Sequence, residues 1–230
     1  IRKNISEIKN TYYTYRYVFV PETIGRIFYI SKHLKHFKKY MKAGFVITCV
    51  GDNGPFSVMP SRYSNTYTDK ISKFILNNKK DTIYHSFLNR GSDERQYNSP
   101  LINLPVISIM RTKYNMYPEY HTSLDNMNYI TLDGLNGSLL LYKDIINILE
   151  NYHFYKSTTK CEPMMSKRNL YHTVGYKGQG VRVKDKMNFL VYCDGKNDII
   201  DISNIINLNF DDCIKICKTF SDNKIIKRID

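Results

Sequence analysis

The amino-acid sequence predicts an α/β domain that is followed by a small winged-helix domain. In the first 150 residues, short apolar segments rich in β-branched residues alternate with longer segments whose apolar residues keep helical spacing. This alternation is typical of a sheet that is covered by helices on both faces. The last 46 residues instead contain a run of short helical segments that ends in a strand, which is the order found in a winged helix.

The elements of the α/β part follow from composition and spacing. Aromatic and β-branched residues predict strands at residues 14–20, 43–50 and 104–110. The second and third of these are mostly apolar, which is typical of buried parallel strands. Apolar residues three and four positions apart predict helices at residues 23–37, 69–78 and 132–152, and the last helix is predicted despite two glycines.

A break in periodicity separates the two parts of the chain. The segments KSTTKCEPMMSKRN and GYKGQGVRV are rich in Gly, Ser and Lys and show no helical or strand spacing. We therefore predict an α/β domain at residues 1–157, a linker at 158–184 and the winged helix at 185–230. Within the last domain we expect three short helices, an Asp-Gly turn between the first two, and a final strand, KIIKRI.

The charge of the chain is strongly positive but unevenly distributed. The formal net charge is +13, whereas the last 46 residues hold seven Lys and Arg against eight acids. Phosphate contacts dominate the affinity of proteins for DNA. A near-neutral tail therefore disfavours nucleic acid as a partner, and favours protein contacts or homo-oligomer packing through the winged helix.

The location of the protein is also indicated by composition. No apolar run reaches the roughly 18 residues that a membrane-spanning helix needs. The five cysteines are odd in number and lie in apolar segments, which is typical of reduced thiols and not of a disulfide framework. We predict a cytoplasmic protein without a membrane partner.

Polar side chains lie close to the ends of the predicted strands. Glu22 and Asp52 each follow a strand, Asp93 lies in the loop before the last strand, and His121 lies in the loop after it. Functional groups of open α/β sheets gather beyond the carboxyl ends of strands, and carboxylates with an imidazole are zinc ligands. The alternative is that each acid caps a helix and that His121 is a solvated loop residue.

Four motifs resemble a known family. They are VPETIGRIFYISKH, GFVITCVGD, RGSDERQYNSP with LPVISIMRTKY, and PEYHTSLD. Together, over about residues 12–229, the sequence resembles bacterial aminopeptidase-like proteins with a winged-helix tail, often encoded near surface-polysaccharide biosynthesis genes. These belong to the wider group of two-zinc exopeptidases. The resemblance implies a zinc-exopeptidase-like three-layer fold and zinc-dependent hydrolysis of a peptide or amide substrate.

The resemblance also implies roles for individual residues. Asp52 is similar to the carboxylate ligand of one zinc ion, and His121 to the imidazole ligand of the other. Glu22 matches an acid that serves as a ligand or as the general base. Asp93 matches a residue that supports the site without binding metal, and Asp125 would be a carboxylate behind the His121 loop.

Three further residues are candidates for binding a substrate carboxylate or oxyanion, with surface salt bridges as the alternative: Arg95, Tyr97 and Arg111. The family places a ligand His and a metal-bridging Asp upstream of TYRYVFVPETIG, whereas only eleven residues precede Tyr12 here. The resemblance therefore implies the C-terminal part of such a protein, with an incomplete site for one or two zinc ions. The alternative is an inactive relative or a binding module.

Overall fold

The computed structural model of the chain describes residues 11–77, 79–168, 170 and 181–229. The chain divides into two compact units, Ile1–Glu150 and Asn151–Asp230. Each unit has a sheet of its own. The two units are described in turn.

The described part of the first unit is a mixed α/β structure. Its elements in chain order are α1 (Ile24–Tyr40), β1 (Gly44–Val46), β2 (Ser57–Met59), α2 (Tyr67–Leu76), β3 (Ile83–Tyr84), a 3-10 turn (Phe87–Asn89), α3 (Glu94–Tyr97), β4 (Val106–Met110) and α4 (Leu132–Asn151). The predicted helices are all present, although residue 78, the end of one of them, lies outside the described residues. In the part of the chain that is described, no helix is both long and apolar enough to cross a membrane.

The sheet of the first unit has the strand order β1-β4-β2-β3. β4 is parallel to β1, as predicted, and Phe45 lies opposite Ile107. β4 is antiparallel to β2, and β2 is parallel to β3. The carboxyl ends of β1 and β4 therefore lie at one edge of the sheet, and the chain segments that follow these two strands begin at that edge.

Helices cover both faces of this sheet, which confirms the predicted fold class. On one face, Phe37 of α1 shares a core cluster with Val46 of β1 and Val106 of β4. On the other face, the ring of Tyr142 in α4 packs edge-on against Phe45 of β1, with 5.9 Å between the centroids. Val46 and Phe45 are adjacent in one strand, so their side chains point to opposite faces.

The strand predicted at residues 14–20 is wrong. This segment has no assigned strand, although its composition favours one. Its start is bound by a side chain instead, because the backbone N–H of Tyr12 and the hydroxyl of Tyr15 both donate to the carboxylate of Glu150, at 2.6 Å each. Aromatic and β-branched residues have side chains that suit a sheet. A strand also needs a neighbouring strand whose backbone N–H and C=O groups are free to pair with it.

The second unit is a winged helix. Its described elements are β5 (Phe154–Ser157), a 3-10 turn (Met165–Arg168), α5 (Val183–Val191), β6 (Asp194–Asp198), α6 (Ile199–Ile206), α7 (Phe210–Asp222) and β7 (Ile226–Arg228). The three strands form an antiparallel sheet in the order β6-β5-β7. The predicted three helices and final strand are confirmed.

Two strands of this unit differ from the expectations. The residues predicted as an Asp-Gly turn form β6, which pairs with β5. The boundary predicted after residue 157 assigns β5 to the first domain, whereas β5 pairs with both β6 and β7. Of the predicted linker, residues 169 and 171–180 lie outside the described residues.

Candidate active site

Glu22 lies in a tight turn directly before α1. Its side chain is exposed, and the Oγ of Ser92 donates a hydrogen bond of 2.7 Å to its Oε1. The next residue, Thr23, has φ 61° and ψ −71°. A β-branched residue rarely adopts a positive φ, because its side chain crowds the backbone there. The turn that presents Glu22 is therefore a strained one.

Two contacts hold Thr23 in this conformation. Its backbone N–H donates to Oδ1 of Asp93 at 2.9 Å, and its Oγ1 accepts from Nη2 of Arg95 at 3.0 Å. A strained backbone persists only where its surroundings fix it, and such residues cluster at functional sites. The Ser92-Asp93 pair thus fixes both the carboxylate of Glu22 and the backbone that follows it.

Asp93 is itself held in a buried ion pair. It is 4% exposed, and its Oδ2 lies 2.9 Å from Nε of Arg26. Nη1 of Arg26 donates to the hydroxyl of Tyr97 at 3.0 Å, and its guanidinium lies over the ring of Tyr97. Tyr97 is 6% exposed, and burial raises its pKa. Buried in this way, Tyr97 supports Arg26, which speaks against its predicted contact with substrate.

Glu94 is a buried carboxylate that sequence reasoning missed. It is fully buried, and its Oε1 accepts from the backbone N–H groups of Gly91 and Ser92 and from the hydroxyl of Tyr114, at 2.7 to 3.1 Å. Its Oε2 accepts from the Oγ of Ser108 in β4 at 3.0 Å. Glu94 therefore ties the loop that carries Ser92 to the sheet. The one feature of the sequence that could have drawn attention to Glu94 is its position next to Asp93.

Asp52 lies in the turn after β1 and is 6% exposed. Its Oδ1 accepts from the backbone N–H of Gly54 and from the Oγ1 of Thr112, at 2.7 Å each. The backbone N–H of Thr112 donates to Oδ2 at 3.2 Å. Asp52 is therefore not a helix cap. It joins the turn after β1 to the turn after β4, and sequence reasoning did not identify Thr112 as its partner.

Arg111 braces the same turn. Its Nη1 donates to the carbonyl of Gly54 at 3.2 Å, and its Nε donates to the Oγ of Ser138 in α4 at 3.2 Å. The guanidinium lies 3.9 Å from the ring centroid of Phe56. Burial lowers the pKa of Arg111, and the charge of Asp52 acts in the opposite direction. These contacts occupy much of the guanidinium that was a candidate for binding substrate.

The two glycines of α4 let this helix approach the site. A Cβ on Gly134 would clash with the carbonyl oxygens of Gly51 and Asp52. A Cβ on Gly137 would meet the guanidinium of Arg111, which is the far end of a flexible side chain. The N–H of Gly134 donates to Thr131, whose own N–H donates to the carbonyl of Gly51 at 2.8 Å.

Replacing Gly134 by Ala is expected to destabilise the chain by about 2 kcal/mol, because steric overpacking against rigid backbone outweighs a helix-propensity gain of about 1 kcal/mol. Gly137→Ala is the matched control, and its effect is expected to stay within about 1 kcal/mol of zero, since Arg111 can shift. Urea unfolding followed by far-UV circular dichroism measures both. Equal stabilities of the two variants would contradict the close approach of α4 to Asp52.

His121 lies in a loop, residues 113–131, that we call the tyrosine loop. Its φ is 59°, its side chain is exposed, and its ring stacks on Tyr120 with 4.0 Å between the centroids. Asp125 of the same loop accepts a hydrogen bond of 3.1 Å from the hydroxyl of Tyr117, and among the described residues it makes no hydrogen bond or ion pair with His121. Asp125 was expected to be a carboxylate behind the His121 loop, and the partner of its carboxylate is Tyr117.

The rings of the tyrosine loop pack together, because Tyr117 contacts both Tyr120 and Tyr129, with 5.5 and 4.8 Å between the centroids. Burial raises the pKa of Tyr120, and the charges of Glu22 and Asp125 raise it further. Burial also raises the pKa of Tyr129, with Asp52 acting in the same direction. The charges of Glu22, Asp52 and Asp125 therefore act on tyrosines of one aromatic cluster.

These residues do not by themselves fit a zinc ion. Among the residues that the structure describes, no three His, Cys, Asp or Glu side chains are grouped so that they could hold a metal. The oxygens of Asp52 already accept from Gly54 and Thr112, and His121 is stacked on Tyr120. A structural zinc site needs about four ligands that converge on one point.

Comparison with protein-family models assigns both units. The model of a domain of unknown function, DUF4910, matches residues 1–152. The model of a winged helix-turn-helix matches residues 153–228. The first match covers more than half of the chain.

A named relative and a solved structure, both of Clostridium acetobutylicum, are similar to this chain. One, provisionally named a polysaccharide biosynthesis protein with an aminopeptidase-like domain, is 40% identical over 207 residues, which are 88% of this chain and 47% of that protein. The other comparison is a crystal structure of a protein provisionally named a peptidase, with a TM-score of 0.84 and 34% identity over 99% of this chain and 51% of that one. The chain thus spans about half the length of each relative.

Proposed function

Since this chain belongs to the family of the DUF4910 domain, we propose that it carries part of the active site of a hydrolase that cleaves peptide or amide bonds. The observation that carries this proposal is the presentation of Glu22. An exposed carboxylate is fixed by Ser92, and the strained residue after it is fixed by Asp93 and Arg95. The peptidase-like names of the relatives agree with it.

Glu22 is suited to the transfer of a proton. Hydrolysis of an amide bond requires a base that takes a proton from water and an acid that gives one to the leaving amine. A carboxylate with one oxygen bound by Ser92 keeps its other oxygen in a defined direction. The hydroxyl of Ser92 thus acts as a positioning group for Glu22, and Asp93 as the support for the turn.

Zinc dependence is part of this proposal, with one or two ions. Asp52, His121 and Glu22 are the residues that this chain would contribute, on the basis of the sequence resemblance. The family that the sequence resembles has a further ligand His and a metal-bridging Asp, which these three residues do not supply. We propose that residues outside this chain complete the set of ligands.

The proposal is tested with the full-length protein, meaning these residues together with whatever its gene encodes on either side. We expect that protein to release N-terminal residues from short peptides, and a chelator to abolish the release until zinc is added back. Absence of hydrolysis of every peptide and amide tested in the zinc-loaded protein would overturn the proposal. That result would favour the alternative, an inactive relative.

For the winged helix we propose contacts with protein, including a second copy of this chain, in preference to DNA. The first turn of α7 carries Asp211 and Asp212. Lys215 is the first basic residue of α7, and its Nζ lies 2.6 Å from Oδ1 of Asp212. This ion pair leaves Lys218 as the other basic residue of α7, whereas phosphate contacts require a row of free cations.

Duplex DNA is therefore expected to bind no more tightly than roughly 1 µM at physiological salt, which is the range of non-specific association. Fluorescence anisotropy of a labelled duplex measures this affinity. A sub-micromolar dissociation constant that weakens steeply with salt would contradict the preference for protein.

A further inference from the structure

A cavity of about 540 Å³ opens in the first unit beside the Glu22 turn. Three arginines line it, and its lining contains no acidic residue. The arginines are Arg62, Arg90 and Arg95, and Tyr63, Phe87 and Asn98 line the cavity with them. In volume it falls within the range of small-molecule sites, about 300 to 1,000 Å³.

Aromatic rings hold two of the arginines in place. The guanidinium of Arg62 lies 4.7 Å from the ring centroid of Tyr63, and its Nη2 donates to the hydroxyl of that tyrosine at 2.6 Å. The guanidinium of Arg90 lies 5.0 Å from the ring centroid of Phe87. Stacking of this kind orders a guanidinium while leaving most of its N–H groups free to donate.

Arg95 links the cavity to the candidate active site. Its Nη2 donates to Thr23, the residue directly after Glu22. The floor of the cavity is rigid, because the buried side chain of Asn98 accepts from the N–H of Arg62 and donates to the carbonyls of Glu94 and Val106. The cavity is therefore built on the same loop that fixes Ser92 and Glu22.

The three arginines have no acidic partner of their own. Among the described residues, no Asp or Glu carboxylate lies within ion-pairing distance of Arg62, Arg90 or Arg95. Cations gathered in a concave, acid-free surface create a positive potential that attracts an anion. Guanidinium groups match the oxygens of carboxylates and phosphates with paired hydrogen bonds.

We propose that this cavity binds an anionic group of the substrate, a carboxylate or a phosphate, next to the bond that is cleaved. The word substrate rests on the proposed function, whereas the binding of an anion rests on the cavity alone. An acidic peptide and a phosphorylated sugar both carry such a group. Arg62 and Arg90 bind its oxygens, and Arg95 connects its position to the Glu22 turn.

Titrations of the isotope-labelled 230-residue chain, followed by nuclear magnetic resonance, test the proposal. The carboxylate probe is the C-terminally amidated dipeptide Ala-Glu, with amidated Ala-Gln, which has no carboxylate, as its analogue. The phosphate probe is glucose 1-phosphate, with glucose as its analogue. We expect at least one anionic probe to bind more tightly than its analogue and to shift signals of the cavity residues. The probe that binds identifies the source of the anion.

Two pairs of substitutions give the control. Arg62→Gln with Arg90→Gln leaves the bond between Arg95 and Thr23 in place, and is expected to weaken binding of that probe about tenfold. Lys79→Gln with Lys80→Gln removes the same charge at exposed positions outside the cavity, and is expected to change it less than about twofold. No preference for either anionic probe, or equal losses in the two pairs, overturns the proposal.

The result is separable from that of the proposed function. Glu22→Gln is expected to leave probe binding unchanged, since Glu22 does not line the cavity. Probe binding without hydrolysis in the full-length protein would reject the proposed function and retain the anion site. Hydrolysis without probe binding would support the proposed function and reject the anion site.

Discussion

Glu22→Gln is expected to lower the rate of peptide hydrolysis by the full-length protein by a factor of about 100 to 10,000. An amide cannot exchange a proton with water as a carboxylate does, so the substitution removes the proposed acid and base. It keeps the shape of the side chain, and its amide oxygen can still accept from Ser92. The measurement is kcat for release of the N-terminal residue.

Asp144→Asn is the matched control for Glu22→Gln. Asp144 is an exposed acid of α4 with no part in the candidate site, so its neutralisation is expected to leave kcat unchanged. Circular dichroism should show that both variants are folded. A Glu22→Gln protein that hydrolyses peptides as fast as the unsubstituted protein would show that Glu22 is not the acid and base of the reaction.

Glu94→Ala is expected to destabilise the chain by about 4 kcal/mol. It leaves the hydroxyls of Tyr114 and Ser108 and the N–H of Ser92 without their acceptor in a buried site, and each such group costs about 1 to 3 kcal/mol. Urea unfolding measures the loss. Because the same loop carries Ser92, hydrolysis by the full-length protein should fall as well.

Two further substitutions define what Glu94 does. Glu94→Gln retains one acceptor oxygen and can turn its amide towards Ser108, so we expect it to lose less than half as much stability as Glu94→Ala. Asp144→Ala removes an exposed acid and should stay within about 0.5 kcal/mol of the unsubstituted chain. If Glu94→Ala were as mild as Asp144→Ala, the network around Glu94 would not hold the loop.

The long helices and buried strands could be predicted because their signals are local. The apolar spacing in α1 and α4 and the apolar run at β4 each depend on residues within one segment. Residues 14–20 and β5 could not be assigned in the same way. Whether Tyr12 and Tyr15 meet a strand or the carboxylate of Glu150 depends on a residue more than 130 positions away.

The candidate site was predictable in part for the same reason. Glu22 and Asp52 stand out because a polar group follows an apolar or aromatic segment. The burial of Tyr97 and the contacts of Arg111 arise from tertiary packing. The sequence alone does not show this packing, so both side chains were predicted to be available for binding substrate. Glu94 was not predicted to be important, because an acid in a charged segment is usually exposed, whereas Glu94 is buried.

The central claim is that this chain supplies a positioned carboxylate and only part of a metal site. Its most direct test is the zinc content of the purified 230-residue chain, measured by elemental mass spectrometry after removal of loosely bound metal. The proposed set of zinc ligands is incomplete in this chain, so we predict fewer than about one zinc ion per chain. About two zinc ions per chain would show that these residues complete the site alone, and would contradict the account.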